Sequence, residues 1–326
     1  MVKIVKKISK ECLIMGKYIV TGVDGNFGAR VAERVQALVP HNELLFTAPK
    51  AAGLTKYKES GIETAVANFN DVAGLTKIFA NADKLLLISM PFVGEKRQRA
   101  HKNVIDACVA GNVKQLIYTS LVNATDPSNP SIEKIDHAWT ESYIENTKLD
   151  YVFLRNSQYA EAMITNYFAM LETGVLSNNQ GTGKMAYISR ADCAIAAAAV
   201  LANPYLHREI LNINGPELLT ISEFIKIGNA VTGNQIKYQE ISDEEDYALF
   251  DKMGVPRTTD GQFKEGSSAP FSSEGMVTFG KAIRLGKMAT HTDDFQVLTG
   301  TKGRTVRYMF EHAADFQIKE RHSVDQ

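Results

Sequence analysis

The chain has 326 residues, with 36 Lys+Arg against 37 Asp+Glu and 44% hydrophobic residues. That composition fits two modest domains or one α/β domain with an added lobe, and it excludes disorder as the main state. A formal net charge of −1 leaves no basic excess to neutralise phosphates, so nucleic acid is a poor partner and a small neutral ligand a better one.

The first 14 residues, MVKIVKKISKECLI, are basic and mildly amphipathic. They lack an uninterrupted apolar h-region and a small-residue cleavage site, and so read as a disordered leader rather than a secretory signal. From Lys17 onward, short β-rich apolar runs alternate with helical periods, the pattern of a parallel sheet covered by helices. A strand over 18–20 opens the series. Phe27, Val31, Val35, Leu38 and Val39 then recur at helical spacing, predicting a helix that ends near Pro40. Strands follow over 44–46, 62–67, 85–88 and 115–118, and the unbroken apolarity of 85–88 implies burial on both faces. Between the last two, Ala100, Val104, Ile105 and Cys108 share one helical face, which makes Cys108 a core residue, and Gly111 with Asn112 supplies the stop. A helix over 132–147 and a strand over 151–154 complete the regular part.

Beyond it the alternation loosens into helices over 191–202 and 221–231, a strand over 210–213 and a Gly/Ser-rich stretch, 254–273, that reads as a mobile lid or irregular loop. The expected architecture is α/β: a Rossmann-type doubly wound parallel sheet with a smaller, mixed C-terminal substrate lobe. Residues 1–14 form the leader, 15–155 the dinucleotide-binding domain, and 156–326 a lobe partly interwoven with the sheet.

Cys12, Cys108 and Cys193 are far apart and form no C-x-x-C pair, and the seven histidines show no H-x-x-x-H or H-E-x-x-H spacing. No disulfide framework or metal site is signalled, and a reducing cytoplasm is the simplest location. No apolar run approaches the roughly 20 residues needed to span a bilayer. The motif that carries chemistry is Thr21-Gly22-Val23-Asp24-Gly25-Asn26-Phe27-Gly28, a G-x-x-G-x-x-G loop between a strand and an amphipathic helix. There Gly22 permits the turn, Gly25 admits a pyrophosphate close to the backbone, and Gly28 lets helix and strand pack, while the helix N-terminus faces the anion.

This loop resembles that of the NmrA-like branch of atypical short-chain dehydrogenases, most closely the bacterial type-two NAD(P)H:quinone oxidoreductases. Other carriers of the likeness are Lys84-Leu85-Leu86-Leu87-Ile88-Ser89, Asn103-Val104-Ile105-Asp106-Ala107, Tyr118-Thr119-Ser120-Leu121, and Leu154-Arg155-Asn156 with Tyr159. Ile188-Ser189-Arg190-Ala191-Asp192 and the stretch from Asp294 to Gly300 extend it to about residue 310. The resemblance implies that the nicotinamide pocket is built from Ser89, Met90, Pro91 and Phe92, from Thr119, Ser120 and Leu121, and from Asn156, Ser157 and Tyr159. Phe92 and Leu121 are then the substrate contacts. His137, near the place of the usual tyrosine, joins Asn156 and Tyr159 as a catalytic candidate.

Cofactor choice is read after strand two, where an acid would bind the ribose hydroxyl of NAD and a base the 2′-phosphate of NADP. The sequence there is Phe46-Thr47-Ala48-Pro49-Lys50. Without an acid, and with Thr47 and Lys50 as substitutes for the Arg-Asn pair common in NADP-binding relatives, NADP(H) is favoured over NAD(H). Asn68 and Phe69 stand where relatives place residues beside the adenine.

One departure bears on the reaction. Short-chain dehydrogenases use Y-x-x-x-K to tune a tyrosine as proton donor, and here no tyrosine has a lysine four residues on; Tyr143 precedes Lys148 by five. Alcohol dehydrogenases and epimerases with that relay are disfavoured. Hydride addition to an electron-poor quinone needs no strong general acid, since the hydroquinone anion is stable enough to leave. The expectation is a reductase of quinones or similar electron-poor carbonyl or enone compounds, with a small apolar substrate and with a homo-oligomer compatible. The alternative is a non-catalytic NADP(H) sensor of NmrA type.

Overall fold

The structure is a computed structural model that describes residues 17–91, 93–258 and 271–318; the expected leader, Phe92 and most of the Gly/Ser-rich stretch lie outside them. The first half of the chain alternates strictly. Strand β1 (Tyr18–Val20) leads into helix α1 (Asn26–Val35), β2 (Leu44–Ala48) into α2 (Thr55–Glu59), β3 (Glu63–Val66) into α3 (Val72–Phe79), and β4 (Lys84–Leu87) into α4 (Glu95–Ala110). β5 (Gln115–Leu121), α5 (Glu133–Glu145) and β6 (Asp150–Asn156) follow. Then come α6 (Ala160–Ala169), β7 (Val175–Asn178), β8 (Lys184–Met185), α7 (Arg190–Ala202) and β9 (Glu209–Ile213).

Seven strands form one parallel sheet in the order β3-β2-β1-β4-β5-β6-β9. Sequence order reverses between β1 and β4, and the crevice outside the carboxyl ends of strands at such a switch point is where open α/β sheets bind ligands. The glycine loop leaves β1 at that point. β9 pairs with β6, so residues beyond 156 add an edge strand to the sheet itself.

Alternation along the strands sorts the core into two layers. Val20, Phe46, Leu86, Ile117 and Leu154 pack against α1 and α7, while Ile19, Leu45, Leu85, Leu87 and Tyr118 pack against α3, α4 and α5. α1 ends at Val35, earlier than the apolar spacing predicts. A turn follows, in which Leu38 and Val39 both donate to the carbonyl of Val35, leaving Leu38 54% exposed while Val39 stays buried. At the amino ends of the strands, the buried Lys84 donates from Nζ to the carbonyls of Val200, at 3.0 Å, and Asn203, closing the C-terminus of α7.

The remaining elements are β10 (Leu219–Thr220), α8 (Ile221–Thr232), β11 (Lys237–Glu240), α9 (Asp243–Lys252), α10 (Ser273–Arg284), α11 (Asp294–Thr299), α12 (Val306–Glu311) and α13 (Ala313–Phe316). β7 pairs with β11 and β8 with β10 as two small sheets beside the main one. With α6, α8, α10 and α12 they enclose a separate core of Met163, Tyr167, Met185, Phe224, Ile283 and Phe310. Asp192 on α7 ties this region to the sheet layer by accepting from the Arg304 guanidinium and from its backbone N–H at 2.9 Å.

Candidate cofactor and active site

Backbone geometry assigns each glycine of the loop a distinct task. Gly22 sits at φ +63°, a left-handed conformation that glycine adopts without strain. A Cβ on Gly28 would fall 2.0 Å from the Gly22 carbonyl oxygen, whereas one on Gly25 would meet only that oxygen, at 3.4 Å. Gly28 is therefore required by the protein itself, and Gly25 faces open space. Gly25 is also the N-cap of α1, makes no side-chain cap, and is followed by no acid in the first turn. The first-turn N–H groups and the positive end of the helix dipole are left for an anion, which fits a pyrophosphate.

The other residues expected around a cofactor divide into two groups. Thr21 and Ser120 turn inward: Thr21 donates to the Leu86 carbonyl at 2.9 Å and accepts from the Ile88 N–H at 3.2 Å, stitching β1 to β4. Ser120 donates to Glu141 at 2.6 Å, and Glu141 forms a two-pronged pair with Arg155. Thr47 is fully buried, with a hydroxyl that has no hydrogen-bond partner, while Lys50 is exposed. Asn68 is exposed and accepts from the Asn70 N–H at 2.9 Å; the Phe69 carbonyl accepts from Asn103 at 2.9 Å, and its ring packs against the α3–α4 core layer.

Around the ends of β4, β5 and β6 several candidates do converge. The Ser89 N–H donates to the Thr119 hydroxyl at 2.8 Å, and the Ser89 hydroxyl is buried without a partner. Asn156 donates through Nδ2 to the Tyr159 hydroxyl at 3.3 Å, and its Oδ1 is likewise buried without a partner. The Tyr159 ring stacks on Phe27 of the glycine loop at 6.4 Å, with the Arg190 guanidinium 5.2 Å from its centroid. Uncommitted buried polar atoms at the switch point are what a bound polar ligand would satisfy. Leu121 is half-buried against the C-terminal core. Asn26 and Pro91 are exposed, and Met90 is half-buried.

Nδ1 of His137 lies 2.8 Å from the Tyr118 hydroxyl. Tyr118 is fully buried, and a buried phenol needs an acceptor for its proton; Nδ1 of a neutral imidazole provides one and leaves the proton of the ring on Nε2. Burial first, then Arg97 and His101, hold the His137 pKa well below the usual range, so the ring is neutral at pH 7.

A second histidine escapes sequence reasoning. His101 lies among Ala100, Val104 and Ile105 on the buried face of α4, where a histidine reads as core. Its Nε2 accepts from the Met90 N–H at 3.1 Å, and Nδ1 lies 2.9 Å from the Thr140 hydroxyl, which donates to the Asp136 carbonyl at 2.7 Å. That chain fixes the Nδ1–H tautomer, and burial with the nearby Arg97 pushes the pKa down to about 3. The Asp136 carboxylate holds the far end of the same segment, accepting from the Gly94 N–H at 2.6 Å and from Gln98 at 2.8 Å. Tyr143 belongs elsewhere: it donates to Asp106 at 2.8 Å and stacks on Trp139. Among the described residues no cluster suited to a metal ion occurs, and no helix is long and apolar enough to cross a membrane.

Comparison with known proteins agrees with this geometry. The family described as NAD(P)H-binding matches residues 22–204. Quinone oxidoreductase 2 of Escherichia coli is 32% identical over 238 residues, 73% of this chain and 82% of that protein. An NAD(P)H azoreductase of Xenophilus azovorans is 23% identical over 244 residues, 74% of this chain and 82% of the relative. Among solved structures, the NADPH-dependent quinone oxidoreductase of E. coli complexed with NADPH superposes with a TM-score of 0.82 at 28% identity, covering 91% of this chain and 99% of that one. The triphenylmethane reductase of Citrobacter sp. complexed with NADP(H) gives 0.79 at 27% identity, covering 90% and 99%. With the switch-point glycine loop, the uncapped α1 and these relatives, the chain belongs to the NAD(P)H-binding family, as an NmrA-like NAD(P)H-dependent oxidoreductase.

Proposed function

We propose that the enzyme reduces a quinone or a similar electron-poor carbonyl or enone at the expense of NAD(P)H. The observation that carries this reading is what α5 presents to β5. His137 and Glu141, one helical turn apart, meet Tyr118 and Ser120, which alternate onto one face of the strand. Glu141 is neutralised by Arg155, His137 is neutral, and the tyrosine of the helix, Tyr143, hydrogen-bonds to α4. No side chain here is tuned as a strong acid, which suits an acceptor whose reduced anion is stable. The relatives named for quinone reduction support the same choice.

When bound, the cofactor supplies the hydride. The first turn of α1, opened by Gly25, holds its pyrophosphate, and the protein's remaining work is orientation. Asn156, through its uncommitted Oδ1, and Tyr159, braced between Phe27 and Arg190, orient the ring and acceptor. The Nε2–H of His137 donates to the acceptor oxygen as charge develops on it, a role open to a neutral imidazole. Leu121 lends the acceptor side an apolar wall. Of the two residues expected to favour NADP(H), only Lys50 is exposed to meet a 2′-phosphate. Cys108 and Cys193, free and buried, suit the reducing cytoplasm in which we place the enzyme.

The test is oxidation of NADPH and NADH by the full chain with a panel of small quinones. Turnover is expected. Cofactor binding without turnover across the panel would sink the reading and favour a non-catalytic sensor.

A further inference from the structure

We infer that Asp24 is a determinant of cofactor selectivity, supplying from the glycine loop the acid that the end of β2 lacks. The inference rests on the NAD(P)H reading of the site. Val23, which precedes Asp24, is tied to the second βα unit at both backbone groups: its N–H donates to the Thr47 carbonyl at 3.1 Å, and its carbonyl accepts from the Tyr57 hydroxyl at 3.1 Å. This pins Asp24 against the turn after β2. A Cβ built on Gly53 would fall 2.6 Å from the Asp24 Cβ, 3.4 Å from its Cγ and 3.5 Å from the Ala48 Cβ. The three residues thus share one spot at the carboxyl end of β2, where a Rossmann fold reads the 2′ position of the adenosine ribose.

Asp24 is half-buried, and none of the described residues hydrogen-bonds its carboxylate. It lines a groove with Gly25, Asn26, Arg30, Lys56 and Tyr57 that runs from the glycine loop between α1 and α2. A free carboxylate there accepts from ribose hydroxyls and repels a 2′-phosphate. The positive groups able to counter it are Lys50, Arg30 and Lys56, all exposed and screened by water and salt; Lys56 is held 4.7 Å over the Tyr57 ring, and Glu33 lines the same groove. Asp24 therefore offsets Lys50: NADH and NADPH bind with comparable affinity, and removing the carboxylate makes the protein NADP(H)-selective.

Calorimetric titration of the full chain with NADH and NADPH tests this without reference to turnover. The native protein is expected to bind the two within about tenfold of each other, a difference of about 1.4 kcal/mol. Asp24→Asn is expected to raise the NADPH:NADH affinity ratio by about tenfold or more, and Lys50→Ala to lower it. A thermal melt of each variant confirms folding. A native preference for NADPH of about a hundredfold, or a ratio unmoved in a folded Asp24→Asn protein, would overturn the inference while leaving the NAD(P)H reading intact. Binding of neither cofactor would overturn both.

Discussion

The hydroxyl of Tyr118 lies 2.8 Å from Nδ1 of His137, joining a residue three positions before the end of β5 to the helix that packs over it. Deleting that hydroxyl frees the imidazole to change tautomer without removing it. Tyr118→Phe is expected to lower kcat/KM with a quinone by about tenfold, and cofactor affinity by less than about twofold. Tyr143→Phe, whose hydroxyl meets Asp106 instead, should change the rate by less than about twofold. Steady-state kinetics of the two variants side by side checks the assignment; equal effects would refute it.

The two later glycines of the loop should fail differently. Gly28→Ala forces a Cβ to within 2.0 Å of the Gly22 carbonyl and is expected to cost about 3 kcal/mol of stability as well as cofactor binding. Gly25→Val should leave the melting temperature nearly unchanged and abolish binding, because its side chain enters the space of the ligand. Thermal melts combined with NADPH titration separate the two outcomes.

Asn156→Ala and Tyr159→Phe each remove one partner of the 3.3 Å contact between the last residue of β6 and the N-cap of α6. Their loss should appear in kcat/KM, by about tenfold to a hundredfold, more than in the dissociation constant of the cofactor. Variants that weaken cofactor binding alone would place both residues outside the acceptor site.

Stability should fall on acidification through His101. Its pKa is about 3 in the fold and about 6.5 in the unfolded chain. Below pH 6.5 the unfolded state therefore takes up a proton that the folded state refuses. The stabilisation of the neutral form is complete above that pH and is lost as pH falls toward 3, at up to about 1.4 kcal/mol per unit. Urea unfolding at pH 7 and pH 5 measures the slope, which His101→Gln should reduce by up to one proton; an unchanged slope would show that His101 is not held neutral.

Lys84→Met tests the closure of α7. The substitution keeps most of the apolar stem but leaves the Val200 and Asn203 carbonyls without their buried donor. A loss of about 3 kcal/mol is expected, with the cofactor site, at the opposite ends of the strands, unaffected. Chemical denaturation and NADPH titration of the same variant check both halves of that statement.

Amphipathic period and glycine spacing are local properties, and they were sufficient to place six strands, the helix carrying His137 and the glycine loop between β1 and α1. The same local logic misjudged the end of α1, because the apolar spacing through Leu38 and Val39 continues past the last helical turn. It marked the strand over 210–213, which is β9, but not its place beside β6, which is decided by pairing across more than fifty residues.

At the site, sequence alone established which residue types stand at the strand ends, but not where their polar atoms go. Hydrogen bonds made across the sheet decided that. Thr21 and Ser120 spend their hydroxyls on Leu86 and Glu141, Thr47 is sealed in the sheet, and His101 emerges as the support of Met90. Asp24 and the end of β2 are separated by more than twenty residues, and only the ties of Val23 to Thr47 and Tyr57 bring the carboxylate there. Each of these arrangements depends on contacts between residues distant in sequence, and a period of 2 or 3.6 carries no information about them.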